Sequence, residues 1–173
     1  MNTLVLAFHP ELESGSRITH RLAQAARPGN DLTLVDEYAL YPDFRIDVAA
    51  EQGRLLAADR VVWLFPMRWY SSPALLKQWE DDVLEHGWAY GTGGDKLRGK
   101  QLLLAISIGA TAEKYRPEGE FAVRGADLLT PWRTTARYTG MDWQQPFLVH
   151  GASSISDAGL EEAARAFAER LSQ

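Results

Sequence analysis

The sequence predicts an α/β fold in which five parallel strands form a doubly wound sheet with helices on both faces. The main observation is a series of unbroken apolar runs, such as Leu4 to Phe8 and Val61 to Phe65. Strands that are buried on both faces lack the alternation of half-exposed strands. Helix signals separate these runs, and strands that alternate with helices favour parallel pairing. Without repeats or interdomain linkers, the 173 residues are expected to form one domain, residues 1–173.

The first half of the chain is predicted to hold three strands and two helices. The strands, each an apolar run, are Leu4 to Phe8, Leu32 to Val35 and Val61 to Phe65. The helices run from an N-cap at Ser16 to a stop at Pro28-Gly29, and from an N-cap at Asp47 to about Ala58.

The second half is predicted to add two strands and three helices. Its strands are Leu102 to Ile108 and Trp143 to Val149. Its helices are Pro73 to about Glu85, a short one over Arg133 to Tyr138, and a final one that Ser156 caps. Two loops stand out, the glycine-rich Gly87 to Gly99 and the long Thr111 to Pro131.

Composition and charge narrow the class of protein. A formal net charge of -5 with no basic run argues against a nucleic-acid surface. The chain has no cysteine, so it has no disulfide, thiolate metal site or cysteine nucleophile. Met1 to Thr3 enter a strand without a signal peptide, and no apolar run approaches the roughly 20 residues that span a bilayer. We therefore expect a soluble protein in the cytoplasm.

In a doubly wound sheet, ligands bind outside the carboxyl ends of the strands where the strand order reverses. The loops that follow Phe8, Phe65 and Ser107 are therefore the candidates. The first leads into a helix N-terminus, where free N–H groups attract an anion. Hydroxyls and one positive charge at Ser14, Ser16, Thr19 and Arg17 suit a phosphate monoester. The alternative is ordinary serine capping beside a solvated arginine.

The second loop carries large side chains where turn chemistry favours small polar ones. Pro66 ends the strand, and Met67, Trp69 and Tyr70 follow it. These groups could wall a site for a flat aromatic ligand, or they could simply plug the top of the core. The third loop, Ser107-Ile108-Gly109-Ala110, would close the other side.

Several common site types lack their sequence signals. The first loop has neither a dinucleotide fingerprint nor a P-loop, and the chain has no nucleophile elbow. The four histidines, His9, His20, His86 and His150, have no metal-site spacing, so no metal is expected. A planar ring system with one terminal phosphate fits the remaining features. FMN is the obvious candidate, with FAD less favoured because only one phosphate cradle is visible.

Longer blocks resemble the flavodoxin-like NAD(P)H:quinone oxidoreductases, and especially the ancillary proteins of glutathione-regulated potassium-efflux systems. They cover nearly the whole chain in the same order. The blocks are Ala7 to Pro10, Leu40 to Phe44 with Ile46-Asp47 and Glu51-Gln52, Phe65 to Ser71, Pro73 to Lys77, and Gly87 to Gly91 with Gly93-Gly94 and Gly99-Lys100.

The resemblance implies a flavodoxin-like fold, whose strand order is 2-1-3-4-5, with a non-covalent FMN and usually a homodimer. It places His9 and Ser16, Arg17, Ile18 and Thr19 at the flavin phosphate and tail. It places Pro66, Met67, Arg68, Trp69 and Tyr70 along the isoalloxazine, and Ser107, Ile108, Gly109 and Ala110 at its other edge. Tyr115 has the spacing of a tyrosine beside the flavin carbonyl edge, where its hydroxyl would accommodate negative charge on the reduced ring.

The chain departs from the family pattern at four places. Arg68 stands where relatives commonly have glutamine, and it would raise the reduction potential if its guanidinium faced the N1 edge. Ile108 and Ala110 replace a threonine and a glycine, and an asparagine is missing at the Thr19 position. The first loop is also one residue longer than usual.

The predicted activity is hydride transfer from NAD(P)H to FMN, followed by reduction of a quinone in a ping-pong cycle. One alternative is a regulatory subunit that docks on the cytoplasmic domain of a potassium-efflux antiporter, at the inner face of the cell membrane, alone or in addition to the enzyme activity. Another is a flavodoxin-type electron carrier without a substrate pocket. The preferred pyridine nucleotide and the acceptor are open.

Overall fold

The computed structural model describes residues 1–26 and 31–173 and contains a parallel sheet, as the apolar runs predict. Its strands are β1 (Thr3–Ala7), β2 (Leu32–Asp36), β3 (Arg60–Pro66), β4 (Gln101–Ser107), β5 (Asp142–Trp143) and β6 (Phe147–Val149). The order is β2-β1-β3-β4-β5, with β6 also paired to β4. The predicted order of five strands is confirmed, and the structure adds a sixth strand.

The sixth strand arises because the predicted last strand, Trp143 to Val149, is interrupted. Leu102 of β4 pairs with Trp143, whereas Ala105 pairs with Phe147. Three residue steps on β4 thus face four steps on the other side, so one extra residue is accommodated between β5 and β6. Pro146 lies in this gap and has no N–H to donate to the ladder.

Within the described residues, six α-helices connect and cover the strands. They are α1 (Ile18–Ala25), α2 (Glu37–Leu40), α3 (Val48–Ala57), α4 (Ala74–Val83), α5 (Thr130–Thr139) and α6 (Asp157–Ser172). The predicted caps Asp47 and Ser156 accept hydrogen bonds from the N–H groups of Ala50 and Gly159. The predicted start of α1 at Ser16 is wrong, because Arg17 occupies the N-cap position. The predicted stop at Pro28-Gly29 lies outside the described residues.

Helix α5 is longer than the sequence suggested. It begins at Thr130, with Pro131 in its first turn, where a missing N–H costs nothing. The long loop before it contains two 3₁₀ turns, Ala112–Lys114 and Gly125–Leu129.

The two faces of the sheet bury separate apolar clusters. Leu6, Trp63 and Leu104 contribute to the cluster beneath α3, α4 and α5, and their neighbours in sequence contribute to the cluster beneath α1 and α6. Both faces of β1, β3 and β4 are therefore covered, which explains why their sequences do not alternate. The pairing of β1, β3 and β4 places the ends of these three strands side by side.

A buried carboxylate fixes the helices on the first face. Glu51 of α3 accepts hydrogen bonds from the Tyr41 hydroxyl at 2.7 Å and from the Trp79 indole N–H at 3.1 Å, and it also pairs with Arg54. These contacts tie α3 to α4 and to the segment after β2. Among residues 1–26 and 31–173, no helix has both the length and the apolar character needed to cross a membrane.

Candidate functional site

The ends of β1, β3 and β4 meet at one edge of the sheet. Ala7 lies beside Leu64, and Pro66 lies beside Ser107. Beyond the last paired residues, the Met67 N–H donates to the Ser107 carbonyl at 2.8 Å. The hydroxyls of Thr19 and Ser107 are 3.0 Å apart and join the start of α1 to the end of β4. The three predicted loops therefore surround one place.

The N-terminus of α1 presents free main-chain donors at this place. The Ser16 hydroxyl oxygen accepts from the His20 N–H at 3.2 Å, so this side chain caps the helix from one residue outside it. The main-chain N–H groups of Arg17, Ile18 and Thr19 have no partner among the described residues. Free N–H groups at a helix N-terminus form a site for an anion.

The side chains of these three residues point to other partners. The Arg17 guanidinium donates to the Ile155 carbonyl at 2.6 Å and to Asp157 at 2.5 Å, which ties it to α6. Ile18 and Thr19 are buried, Thr19 completely. The structure thus leaves the main chain, rather than the expected hydroxyl of Thr19 and charge of Arg17, to face an anion.

His9 is a buried, neutral donor at the end of β1. Its Nδ1 accepts from the Glu11 N–H at 3.1 Å, so the ring hydrogen resides on Nε2. Burial, followed by the nearby positive charge of Arg68, lowers the pKa of His9. The imidazole therefore offers one N–H without adding a positive charge.

The residues Arg68 to Ser71 form a tight two-residue turn after β3. Arg68 and Ser71 exchange main-chain hydrogen bonds of 3.0 and 2.9 Å, while Trp69 and Tyr70 have φ angles of 49° and 64°. Positive φ at both central residues is the pattern of a type I′ turn, which glycine and asparagine favour. Each large residue in this region costs about 1–2 kcal/mol. Strain of this kind often marks a functional segment.

The turn exposes two large aromatic residues of a type that usually packs in a core. The Trp69 side chain is 92% exposed and the Tyr70 side chain 43% exposed, and the N–H groups of both residues lack partners among the described residues. Met67 instead packs on the core. Arg68 is exposed, and its guanidinium makes no ion pair with a described residue. The tryptophan and tyrosine are therefore not core plugs.

The third loop offers main-chain groups as well. The Ile108 side chain is only 2% exposed and its N–H donates to Val149, so Ile108 contributes to the core. The N–H groups of Gly109 and Ala110 have no partner among the described residues, and the Ala110 carbonyl accepts from Gly151 at 3.0 Å. A Cβ on Gly109 would meet no atom within 4 Å. This edge is consequently open.

Tyr115 faces the same edge from the long loop. Its hydroxyl lies 3.8 Å from the Met67 sulfur, and its ring centroid lies 5.0 Å from Phe121 and 5.8 Å from His150. Burial, with a smaller effect of Tyr70, raises the pKa of Tyr115. The hydroxyl therefore keeps its proton at neutral pH.

Sequence reasoning missed two residues at this place, His150 and Phe121. His150 directly follows β6, and its Nδ1 is buried without a partner among the described residues. Its position directly after a predicted parallel strand could have marked His150 as a candidate site residue. Phe121 lies in the long loop Thr111 to Pro131, and no sequence spacing connects it to Tyr70, whose ring is 5.5 Å away.

Comparison with known families agrees with this architecture. A family model described as the flavodoxin-like fold, Flavodoxin_2, matches residues 1–171. The chain belongs to the flavodoxin-like family. A relative in this family, the Bacillus subtilis (strain 168) protein described as uncharacterized NAD(P)H oxidoreductase YrkL, is 47% identical over 99% of this chain and 98% of its own length.

Three solved structures extend the likeness. General stress protein 14 from Treponema denticola, in complex with FMN, is 38% identical with a TM-score of 0.89, covering 99% of this chain and 97% of its own. A protein described as NADPH-quinone reductase from P. pentosaceus is 27% identical with a TM-score of 0.87, covering 98% and 97%. A protein described as a thermophilic tryptophan halogenase from Streptomycin violaceusniger is 40% identical with a TM-score of 0.94, covering 98% of both chains.

Proposed function

We propose that this flavodoxin-like protein is an FMN-dependent NAD(P)H:quinone oxidoreductase. The observation that carries the proposal is the set of main-chain N–H groups without described partners at the start of α1 and in the loops after β3 and β4, which include the strained and exposed Trp69-Tyr70 turn. The relatives named NAD(P)H oxidoreductase and NADPH-quinone reductase, and the FMN complex of general stress protein 14, support the same activity.

The residues at the strand ends fit the chemistry of FMN. The N–H groups of residues 17–19 would hold the phosphate, with the neutral His9 adding an N–H donor nearby. The N–H groups of Trp69 and Tyr70 on one side, and of Gly109 and Ala110 on the other, would hold the polar edges of the ring. A single anion site favours FMN over FAD, which carries a second phosphate.

The bound flavin would take two electrons from NAD(P)H and deliver them to a quinone, with donor and acceptor using one ring face in turn. The chain's contribution is to orient these molecules and to stabilise charge. Tyr115, protonated at neutral pH, would donate a hydrogen bond from its hydroxyl to an oxygen that gains negative charge. The exposed guanidinium of Arg68 would stabilise negative charge at the same edge of the sheet.

The homodimer is proposed on a separate observation. A groove of about 510 Å³ lies between α4 and α5 and begins at Ser71 and Ser72. Tyr138 is 68% exposed in this groove, and its ring centroid lies 5.3 Å from that of the half-buried Tyr90. An exposed tyrosine in a groove beside the site suits contact with a second copy of the chain.

The decisive experiment is the visible absorbance of purified protein after FMN loading and desalting. We expect the wild type to remain yellow, and Trp69→Ala to lose more flavin because the ring loses one wall. Trp88→Ala is a control, since Trp88 is a half-buried tryptophan that packs on the core in the glycine-rich loop. Wild-type protein that stays colourless after incubation with FMN would contradict the proposal.

An activity assay separates the enzyme from an electron carrier. We expect a catalytic amount of protein to oxidise NADPH continuously when a quinone is added, whereas a carrier would stop after about one equivalent. Docking to a potassium-efflux transporter stays a prediction, which a pull-down with the transporter's cytoplasmic domain would test.

A further inference from the structure

The aromatic ring of Phe121 belongs to neither core cluster. The two clusters and the half-buried residues packed against them include Tyr115 but not Phe121. The aromatic neighbours of Phe121 are Tyr115 at 5.0 Å and Tyr70 at 5.5 Å, both in positions assigned above to the flavin site. Phe121 is therefore a half-buried phenyl ring whose aromatic contacts are made with two residues of the candidate site.

Main-chain hydrogen bonds within the loop fix the backbone at Phe121. The Phe121 N–H donates to the Lys114 carbonyl at 3.2 Å, and the Ala122 N–H donates to the Gly119 carbonyl at 3.1 Å. Ala122 has a φ of 49°, a conformation that costs a residue with a Cβ about 1–2 kcal/mol. A Cβ on Gly119 would lie 2.6 Å from two main-chain carbonyl oxygens. The two hydrogen bonds and the close main-chain approach at Gly119 therefore fix the path of the main chain at Phe121.

The surroundings of the ring indicate what it would contact. Tyr70 meets Phe121 with its plane inclined by 70°, and Tyr115 with its plane inclined by 57°, so the three rings form an angled wall rather than a closed stack. The Lys114 ammonium lies 5.9 Å from the ring centroid but is paired with Glu120 at 2.6 Å. The ammonium nearest the Phe121 ring is thus already paired, and the three aromatic rings favour contact with a flat molecule that has apolar faces.

We propose that Phe121 determines acceptor specificity by providing an aromatic contact for a planar quinone of one or two rings. This inference rests on the proposed function, because the acceptor must reach the ring held beside Tyr70 and Tyr115. Phe121 would bind the acceptor without holding the flavin, whose polar edges are served by main-chain groups of other loops.

The test compares Phe121→Ala with Phe121→Leu, which keeps most of the volume but removes the aromatic face. Phe44→Ala is the matched control, because Phe44 is also a phenyl ring near the surface, contacting Tyr38 at 5.8 Å, on the segment after α2. Three quantities are measured: the FMN retained after desalting, the dissociation constant of menadione for oxidised FMN-loaded protein by calorimetry, and the KM values for menadione and ferricyanide. Ferricyanide accepts electrons but has no aromatic ring.

We expect Phe121→Ala to raise the menadione dissociation constant and KM by about 3- to 10-fold, the loss of one aromatic contact. Flavin retention and the ferricyanide KM should change less than about 2-fold on the same scale. Phe121→Leu should lie between wild type and Phe121→Ala, and Phe44→Ala should match the wild type. If Phe121→Ala does not fold, the leucine variant carries the comparison.

Equal changes for menadione and ferricyanide, or loss of flavin with unchanged menadione binding, would overturn the role of Phe121 and leave the proposed function standing. Unchanged values for every variant would also overturn the role of Phe121 and leave the proposed function standing. Wild-type protein that retains no FMN would instead overturn the proposed function, and this inference with it.

Discussion

The Arg68–Ser71 turn and the glycine-rich loop 87–99 both require a left-handed backbone, but they meet this requirement with opposite residues. The loop places glycine at its positive-φ positions, Gly87, Gly91, Gly93 and Gly99, where no Cβ is strained. The turn uses Trp69 and Tyr70 at 49° and 64°. In this loop the chain places glycine where the backbone is left-handed, whereas the turn retains two large side chains despite the strain, and we expect those two side chains to serve the candidate site.

The two regions also meet in space. The groove between α4 and α5 is lined by Ser71 and Ser72 from the end of the turn and by Tyr90 from the loop. Glu80 of α4 lies in the same groove. Substitutions in the turn and in the loop, and the titration of Glu80 between them, therefore test one contrast. The question is whether the turn keeps strained residues for a function, while the loop uses glycine only to allow its backbone conformation.

The largest effect is expected for Gly94→Ala in the loop. An added Cβ would lie 2.1 Å from the Tyr90 carbonyl oxygen, so the main chain must move. We expect the free energy of unfolding to fall by about 3 kcal/mol or more, measured by urea denaturation. Gly53→Ala is the control, since its Cβ would meet no atom within 4 Å. Equal stabilities of the two variants would show that the loop is not tightly folded.

The second effect is a pH dependence in the groove. Burial, opposed by the charge of Lys77, raises the pKa of Glu80 to about 7, above its value in the unfolded chain. The folded protein therefore keeps a proton that the unfolded chain has lost between about pH 4.5 and 7. Over this range Glu80 should lower the free energy of unfolding by up to about 1.4 kcal/mol per pH unit as pH rises, with no further loss above pH 7.

Glu80→Gln should remove this slope, and the difference between wild type and variant is measured by urea denaturation at several pH values. Glu162→Gln, at an exposed position on α6, makes the same change of side chain outside the groove and is the control. Parallel pH curves for wild type and Glu80→Gln would contradict a protonated Glu80.

The third effect is a gain in stability at the turn. Replacing Trp69 and Tyr70 together by Asn and Gly installs the residues that a type I′ turn favours. We expect the apo protein to gain about 2 kcal/mol in the free energy of unfolding, because two strained residues are relieved. The same variant should bind FMN more weakly than the wild type by calorimetry. A stabilised variant with unchanged FMN affinity would mean that the strained side chains have no role at the site.

The smallest effect is expected for Gly99→Ala. This change measures the loss of stability when a residue with a Cβ adopts a left-handed conformation and meets no nearby atom. Gly99 has a φ of 77°, and a Cβ there would meet no atom within 4 Å. Gly99→Ala should therefore lower the free energy of unfolding by only about 1 kcal/mol. A loss as large as that of Gly94→Ala would show that strain, rather than close approach, dominates in the loop.

The sheet was predictable because its signal is local. The apolar runs around Val5, Val62 and Leu104 mark strands buried on both faces, and parallel topology then assigns their carboxyl ends to one edge. The break in the last strand was missed, although Pro146, which cannot donate to a ladder, is a local signal for it. These features depend on residue type and spacing alone.

The details of the site depend on which way each side chain points, and the sequence does not contain that information locally. Thr19 and Ile108 were predicted to lie at the site, yet both side chains are buried. Arg17 turns to Asp157, 140 residues away. Phe121 reaches Tyr70 only through the folded path of the long loop. The sequence could therefore identify the loops, whereas the structure shows that free main-chain N–H groups lie at this edge of the sheet while the side chains of Arg17 and Thr19 have other surroundings.

The most direct test of the site is calorimetric titration of the apo protein with FMN and with riboflavin, which has the same ring but no phosphate. The free N–H groups of residues 17–19 should make charge-assisted hydrogen bonds to the phosphate, so FMN is expected to bind at least about 100-fold more tightly. Equal affinities for the two ligands, or no binding of either, would contradict the assignment of this sheet edge as a flavin phosphate site.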